Sequence, residues 1–179
     1  MKRPAIMFLV CLATAAGASA ARGQGNPQTR QGFWFSGGLG WGTLGCADCD
    51  GRTGGFSGGL SLGGTLSSKV LFGVGTTGWT KSEDGATLTV GTLDARVRFY
   101  PSAKAGFYLT GGAGVGSISA EMAGFGSDSE IGVSMLLGMG YDIRIGQMLS
   151  LTPYWHGFAV QAENVDSNVG QFGLAITLH

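Results

Sequence analysis

From residue 33 onward, apolar side chains alternate with small or polar ones, and this period of two constrains the fold more than any other feature of the sequence. Along residues 133–141, for example, Val, Met, Leu and Tyr occupy every second position, with Ser, Leu and Gly between them. Such a pattern places alternate side chains on opposite faces of an extended strand, whereas a helix requires a period of 3.6. Eight stretches of this kind, each about 9–13 residues long, predict an all-β chain of eight antiparallel strands. Pro153 interrupts one of them, and we expect a local bulge there because proline lacks the backbone donor.

The composition excludes several classes of protein. Charged residues make up only 12% of the chain, and 35 of its 179 residues are glycine without a collagen-like period. Hydrophobic residues make up 44%, which argues against disorder. With 11 basic and 11 acidic residues the chain lacks the positive charge that nucleic-acid binding requires, so we expect no nucleic-acid partner.

The first twenty residues have the pattern of a secretory signal peptide. Lys2 and Arg3 precede an apolar run over 5–16, and a small-residue cleavage pattern ends at Ala20. We therefore expect cleavage after Ala20. The remaining chain divides into a short periplasmic segment, 21–31, and a β-barrel domain, 32–179.

Alternation alone does not tell which face of a barrel is outside. A soluble lipocalin-like binding barrel alternates too, with its apolar face inward. In this sequence the more polar face consists mostly of Gly, Ser and Thr rather than Lys and Glu, which suits the narrow inside of an eight-stranded barrel. The other face carries Phe, Leu, Val and Met, which suits hydrocarbon. We therefore predict a transmembrane up-and-down β-barrel with an even number of strands, as in bacterial outer membranes.

The segments between the strands agree with this topology. Longer and shorter segments alternate: 45–54, 80–87, 118–130 and 158–168 are longer, and 67–69, 101–105 and 144–148 are shorter. Most charged residues of the longer segments are acidic, and all charged residues of the shorter segments are basic. Because outer-membrane barrels have long outer loops and short periplasmic turns, we expect both termini in the periplasm.

Aromatic residues are expected to form two girdles at the membrane interfaces. Near the outer strand ends lie Trp41 and Trp155, and near the inner ends lie Phe33, Phe99, Tyr100 and Phe107. Trp79 has the opposite, inward parity. It is expected either to plug the barrel mouth or to mark a slip in register.

Three local motifs carry a resemblance to a known family. They are RVRFYP at 96–101, GFYLTGGAGVG at 106–116 and GMGYD at 138–142. With these the chain resembles the small outer-membrane barrels of the OmpA/OmpX-like family. The resemblance implies an integral outer-membrane protein whose C-terminal end is read by the barrel assembly machinery. The family usually ends in an aromatic residue, whereas this chain ends in His179.

Five charged residues share the inward parity on two strands. They are Asp94, Arg96, Arg98, Asp142 and Arg144. Charges inside a narrow barrel must be paired and hydrogen-bonded. We expect Asp94 to pair with Arg96 or Arg144, and Asp142 with Arg98 or Arg144. Such a network forms either a salt-bridge plug, which we favour, or an ion path.

Cys46 and Cys49 form a C-x-x-C motif in an expected outer loop. A redox site would need a helix N-terminus to lower the thiol pKa, and a metal site with Asp48 and Asp50 has only two thiols. A local disulfide suits a protein outside the cytoplasm, and we expect neither a metal nor a cofactor.

His156 shares the inward parity with Tyr154, and both are expected to be polar groups of the lumen. Some eight-stranded barrels cleave acyl chains from lipid A with a His and a Ser two residues later on the lipid-facing side. Here that later position is Phe158, and no group is identifiable to orient the histidine. We therefore expect no catalytic residues and no enzyme.

The sequence thus predicts a monomeric outer-membrane barrel with a largely plugged polar lumen and a structural or surface-interaction role. Its expected partners are outer-membrane lipids, lipopolysaccharide and the barrel assembly machinery. The main alternative is a narrow porin-like channel for small solutes. A lipid-modifying enzyme and a soluble lipocalin-like binding barrel are less favoured alternatives.

Overall fold

The computed structural model describes residues 30–46, 51–122, 126–163 and 165–179. Within these ranges the chain forms nine strands. They are β1 (Phe33–Cys46), β2 (Thr53–Ser67), β3 (Val70–Glu83), β4 (Ala86–Phe99), β5 (Phe107–Met122), β6 (Gly126–Tyr141), β7 (Ile143–Arg144), β8 (Leu149–Gln161) and β9 (Asp166–Leu178). In this part of the chain no helix is long and apolar enough to cross a membrane.

The strands close into one antiparallel barrel. Consecutive strands pair from β1 to β6, β6 pairs with β8, β8 with β9, and β9 returns to β1. The two-residue strand β7 continues the line of β6 past Asp142 and pairs with β8. The barrel wall therefore consists of eight antiparallel strands, as predicted.

Pro153 is on β8, opposite the point where this continuous line is divided into β6 and β7. The β6–β8 pairing ends at Gly140↔Tyr154, and the β7–β8 pairing begins at Ile143↔Leu151 in the same register. Pro153 cannot donate to the opposite strand, which accounts for the interruption. On its other side Pro153 pairs in register with Leu174, so the expected bulge is an interruption without a register shift.

The predicted apolar face lies outside. Leu93, Val97, Met135 and Leu137 have exposed fractions of 59, 41, 66 and 69%. More than twenty other large apolar side chains are exposed on the same wall, far more than a water-soluble protein leaves in one surface. Because the closed sheet also pairs its backbone groups, this is the surface of a barrel that spans a membrane.

The start of β1 and the end of β9 lie at the same end of the barrel, since Phe35 pairs with Leu178. We call this the terminal end, and the opposite end the far end. The terminal end holds the connections 68–69, 100–106 and 145–148.

At the far end the strands extend beyond what the sequence predicts. The expected loop 80–87 is a hairpin paired as far as Glu83↔Ala86, and much of 118–130 is paired up to Met122↔Gly126. The expected alternation of long and short connections is therefore wrong at these two places. The extensions are rich in polar residues, and Ser and Thr hydroxyls pair across the hairpins, as between Ser82 and Thr87 at 2.8 Å. A pattern search that relies on apolar residues misses such strands.

Candidate functional site in the barrel lumen

A buried ion pair lies in the middle of the lumen. Asp94 and Arg96 both point inward from β4 and have exposed fractions of 3% each. Arg96 donates from Nε to Asp94 Oδ1 and from Nη2 to Oδ2, both at 2.8 Å. Arg96 Nη2 also donates to Thr77 Oγ1 at 2.9 Å. Asp94 thus pairs with Arg96, one of its two expected partners, in the bidentate geometry that gives strong charge-assisted hydrogen bonds.

Glycines on the neighbouring strands make room for this pair. Gly75 on β3 and Gly112 on β5 lie opposite Asp94 and Arg96 respectively. A Cβ atom at Gly75 would lie 2.6 Å from Arg96 Cζ, and one at Gly112 would lie 2.7 Å from Asp94 Oδ1. The abundance of glycine on the inward face therefore reflects the space that two charged side chains occupy in a narrow barrel.

Arg98 lies nearer the terminal end than the ion pair does, between aromatic side chains. Its guanidinium carbon is 4.5 Å from the ring centre of Trp34 and 4.9 Å from that of Tyr108. Arg98 Nη2 donates to Ser61 Oγ at 3.1 Å, whereas Nε and Nη1 have no hydrogen-bond partner among the described residues. Arg98 is 2% exposed, so these donors are shielded from solvent.

Asp142 is the centre of a second polar cluster at the terminal end. It accepts hydrogen bonds from Tyr100 Oη and Thr152 Oγ1, both at 2.8 Å, and lies 3.1 Å from His179 Nε2. Burial alone would raise the pKa of the Asp142 carboxyl, but the hydrogen bond to His179 and the charge of Arg98 outweigh burial and lower that pKa. Burial and the adjacent Asp142 carboxylate raise the pKa of the Tyr100 hydroxyl, which keeps Tyr100 a donor.

Arg144, predicted to belong to the lumen network, lies at the rim of the terminal end. Its side chain is half-buried and donates from Nη2 to the backbone oxygen of Gln147 at 2.7 Å. Since β7 ends at Arg144, this residue lies at the terminal end and away from the Asp94–Arg96 pair.

Apolar and aromatic side chains form two packed clusters in the lumen, one on each side of the ion pair. Toward the far end they are Leu44, Trp79, Val90, Leu136, Phe158, Val160 and Val169. Toward the terminal end they are Trp34, Leu71, Tyr100 and Tyr108. Trp79 donates from Nε1 to the backbone oxygen of Gly42 at 3.1 Å, and its strand stays in register at Ser57↔Trp79. Trp79 therefore lies in the lumen and does not mark a slip.

His156 and Tyr154 both point into the lumen from β8, as their parity predicts. Their rings are 4.6 Å apart, and both side chains are buried. Phe158 also points inward, so none of these three side chains faces the lipid. Within the described ranges, no three His, Cys, Asp or Glu residues come close enough to hold a metal ion.

Five of the six aromatic residues predicted for the girdles face outward. They are Phe33, Trp41, Phe99, Phe107 and Trp155, with exposed fractions between 37 and 65%. Tyr100, expected beside Phe99, is instead fully buried because its hydroxyl bonds to Asp142. Trp41 pairs with Phe56 on β2 and with Phe172 on β9, and Phe172 pairs with Trp155 on β8. The outer aromatic residues thus form one row across four strands.

The predicted disulfide falls partly outside the described residues. Cys46 is disulfide-bonded at the end of β1. Cys49, its expected partner, belongs to 47–50, outside the described ranges.

One buried charge was not predicted from the sequence. Arg30, assigned to the periplasmic segment 21–31, is 2% exposed, and its guanidinium carbon lies 3.4 Å from the ring centre of Tyr100. It donates to the backbone oxygens of Ala105 at 2.7 Å and Ala103 at 3.3 Å. The residue precedes the first strand, so strand periodicity carries no signal for it.

These observations define a class of protein: a small eight-stranded antiparallel barrel that spans a membrane. Comparison with solved structures finds the same fold in Neisserial surface protein A, with 16% identity and a TM-score of 0.62 over 82% of this chain and 96% of that one. The attachment invasion locus protein Ail of Yersinia pestis matches with 11% identity and a TM-score of 0.62, over 84% of this chain and 100% of that one.

The N-terminal β-barrel domain of Pseudomonas aeruginosa OprF matches more weakly, with 14% identity and a TM-score of 0.51 over 83% of this chain and 98% of that one. Comparison with protein-family models finds no match, and comparison with curated protein sequences finds no significant match. At these identities the likeness establishes the fold alone.

Proposed function

We propose that this protein is an integral outer-membrane barrel with a closed lumen, whose role is structural or lies in surface interactions. The observation that carries the proposal is the filling of the lumen by two clusters of buried side chains on either side of the Asp94–Arg96 pair. Sequence and fold support the location, since a signal-peptide pattern followed by a barrel with an apolar wall suits the outer membrane.

The packing of these two clusters supports a closed lumen over the main alternative, a narrow channel for small solutes. A continuous aqueous path would have to pass Trp79 and Leu44 toward the far end and Trp34 and Tyr100 toward the terminal end, all at most 8% exposed. Between them lies a cavity of about 20 Å³, room for one water-sized particle.

Conductance in planar bilayers tests the closed lumen. We expect the wild-type protein to give no steady open events. Trp79→Ala removes the largest side chain of the far-end cluster and serves as a comparison. We expect openings to be more frequent in this variant than in wild type. Steady wild-type openings at the same protein density would favour the channel.

An enzymatic role in lipid modification is disfavoured by where His156 lies. Its ring is inside the barrel and 6% exposed, and the position two residues later is Phe158, also inside. A lipid acyl chain on the outer wall does not reach this ring. We expect lipid A to be unchanged, by mass spectrometry, when the protein is produced in quantity.

The far end is suited to cations or basic partners rather than to polyanions. The sequence between the transmembrane stretches there carries Asp48, Asp50, Glu83, Asp84, Glu121, Asp128, Glu130, Glu163 and Asp166. The only basic residues in these stretches of sequence are Arg52 and Lys81. Ail has been crystallised with the heparin analogue sucrose octasulfate, whereas we expect this acidic end not to retain the protein on a heparin column.

We further propose a monomer that contacts outer-membrane lipids and lipopolysaccharide, and that reaches the membrane through a cleaved signal peptide and the barrel assembly machinery. Membrane fractionation with N-terminal sequencing tests this. An N-terminus at Ala21 in the outer-membrane fraction supports it, and a soluble periplasmic pool without a heat-modifiable gel shift would favour a soluble binding barrel.

A further inference from the structure

We propose that the mid-barrel cavity is a binding site for one small monovalent anion of about the size of chloride, held chiefly by Arg98. The cavity lies between the two clusters that fill the lumen. Its lining includes Arg96, Arg98, Tyr154, His156 and Gln171. Its volume of about 20 Å³ admits a single small ion or one water molecule, but no larger solute.

Unpartnered polar atoms point to a ligand in this cavity. Arg98 Nε and Nη1, Tyr154 Oη, His156 Nε2 and the side-chain amide of Gln171 have no hydrogen-bond partner among the described residues. All four side chains line the cavity, and each is at most 8% exposed. Because a buried donor without a partner costs free energy, a ligand that accepts several hydrogen bonds at once would be stabilised here.

The charge of the lumen favours an anion over a neutral ligand. The permanently charged groups that line the cavity are the guanidinium groups of Arg96 and Arg98, both buried. Both oxygens of Asp94 are engaged by Arg96, and Asp142 accepts hydrogen bonds at the terminal end. Arg96 is compensated by Asp94, whereas the hydrogen-bond partner of Arg98 is the neutral hydroxyl of Ser61, so the positive charge of Arg98 attracts a counter-ion in a region of low polarity.

The clusters at both ends also determine how the ion enters. An ion at this depth exchanges with solvent only if a cluster opens, so it is captured while the barrel folds. The anion must therefore be supplied during refolding and not added to the folded protein.

The test is refolding into detergent micelles in sodium bromide or in sodium gluconate at equal ionic strength, because gluconate is too large for the cavity. We expect a saturable rise in the midpoint of heat unfolding with bromide, of about 3–5 °C when bromide is at ten times its Kd. We also expect an anomalous bromide peak within hydrogen-bond distance of Arg98 in crystals grown from the bromide sample.

Two variants and a control separate site binding from a general salt effect. Arg98→Gln should abolish the difference between the two salts, and Gln171→Leu, which keeps the charge of Arg98, should reduce it. Ser134→Ala removes a buried, unpartnered hydroxyl outside the cavity and should leave the difference unchanged.

An equal response of Arg98→Gln and wild type would overturn the proposal, as would density for water without an anomalous peak. If Arg98→Gln does not fold, an unaltered salt response of Gln171→Leu together with an absent peak in wild type leads to the same rejection.

Discussion

Removing the charge of Asp94 is the most direct test of how the lumen is stabilised. In Asp94→Asn the side chain keeps its shape, but Arg96 loses its counter-charge, and one of its two donors to this side chain then meets an amide NH2 group that cannot accept. The side chains of Asp94 and Arg96 are only 1% and 3% exposed, so solvent cannot replace the lost partner. Breaking a buried pair by removing one member costs about 3–5 kcal/mol, and we expect this loss in the free energy of unfolding.

The far-end pair of Lys81 and Glu83 provides a matched control. Its Nζ–Oε2 distance is 2.5 Å, but the side chains are 32% and 66% exposed. We expect Glu83→Gln to change the free energy of unfolding by about 0–1 kcal/mol, because water and salt screen an exposed pair. The assay is urea unfolding of the refolded protein in lipid vesicles, followed by tryptophan fluorescence and by the heat-modifiable gel shift.

A double variant shows whether the cost arises from the uncompensated charge of Arg96. In Asp94→Leu with Arg96→Met, both charges are absent and the volume is largely retained. We expect this variant to unfold within about 2 kcal/mol of wild type, since apolar replacement of a whole buried pair is often neutral or stabilising. If Asp94→Asn lies within about 1 kcal/mol of wild type, or if the double variant is less stable than Asp94→Asn, the explanation is wrong.

Two further predictions concern packing and pH. Gly59→Ala should destabilise the barrel by about 1–3 kcal/mol in the same assay, because the added Cβ would lie 2.6 Å from the backbone oxygen of Thr76. Gly64→Ala on the same strand has open space and should be neutral or slightly stabilising, so equal effects of the two changes would contradict the packing argument. The lowered pKa of Asp142 means that its ionised form adds stability above the pKa of the unfolded chain, near 4, and that this is lost as the pH falls through the lower folded value. In Asp142→Asn the midpoint of heat unfolding should therefore change less with pH between about pH 2 and 4 than in wild type. An equal pH dependence of the two midpoints would exclude this role.

The sequence predicts the barrel wall because alternation is a local property that survives in every strand. The outward face of Leu93, Val97, Met135 and Leu137, and the inward parity of Trp79, all follow from a period of two. The extents of the far-end hairpins do not, since Ser82 and Thr87 pair through hydroxyls and leave no apolar signal.

The lumen shows where sequence reasoning stops. Parity identifies Asp94 and Arg96 as inward neighbours two residues apart, which limits their partners to a few. It does not reveal that Tyr100, Thr152 and His179 meet at Asp142, because these side chains come from separate parts of the chain that only closure brings together. Arg30 lies before the first strand, so no pattern indicates its burial.

The hairpin of β3 and β4 has a consequence for displaying foreign sequences. Its strands remain paired up to a two-residue turn in which Asp84 and Gly85 have φ angles of 50° and 80°, the backbone form of a tight hairpin turn. In the proposed orientation, with the far end outside, a peptide epitope inserted between these two residues would be carried on a stiff, paired support. Antibodies should reach it there while the wall beneath keeps its register.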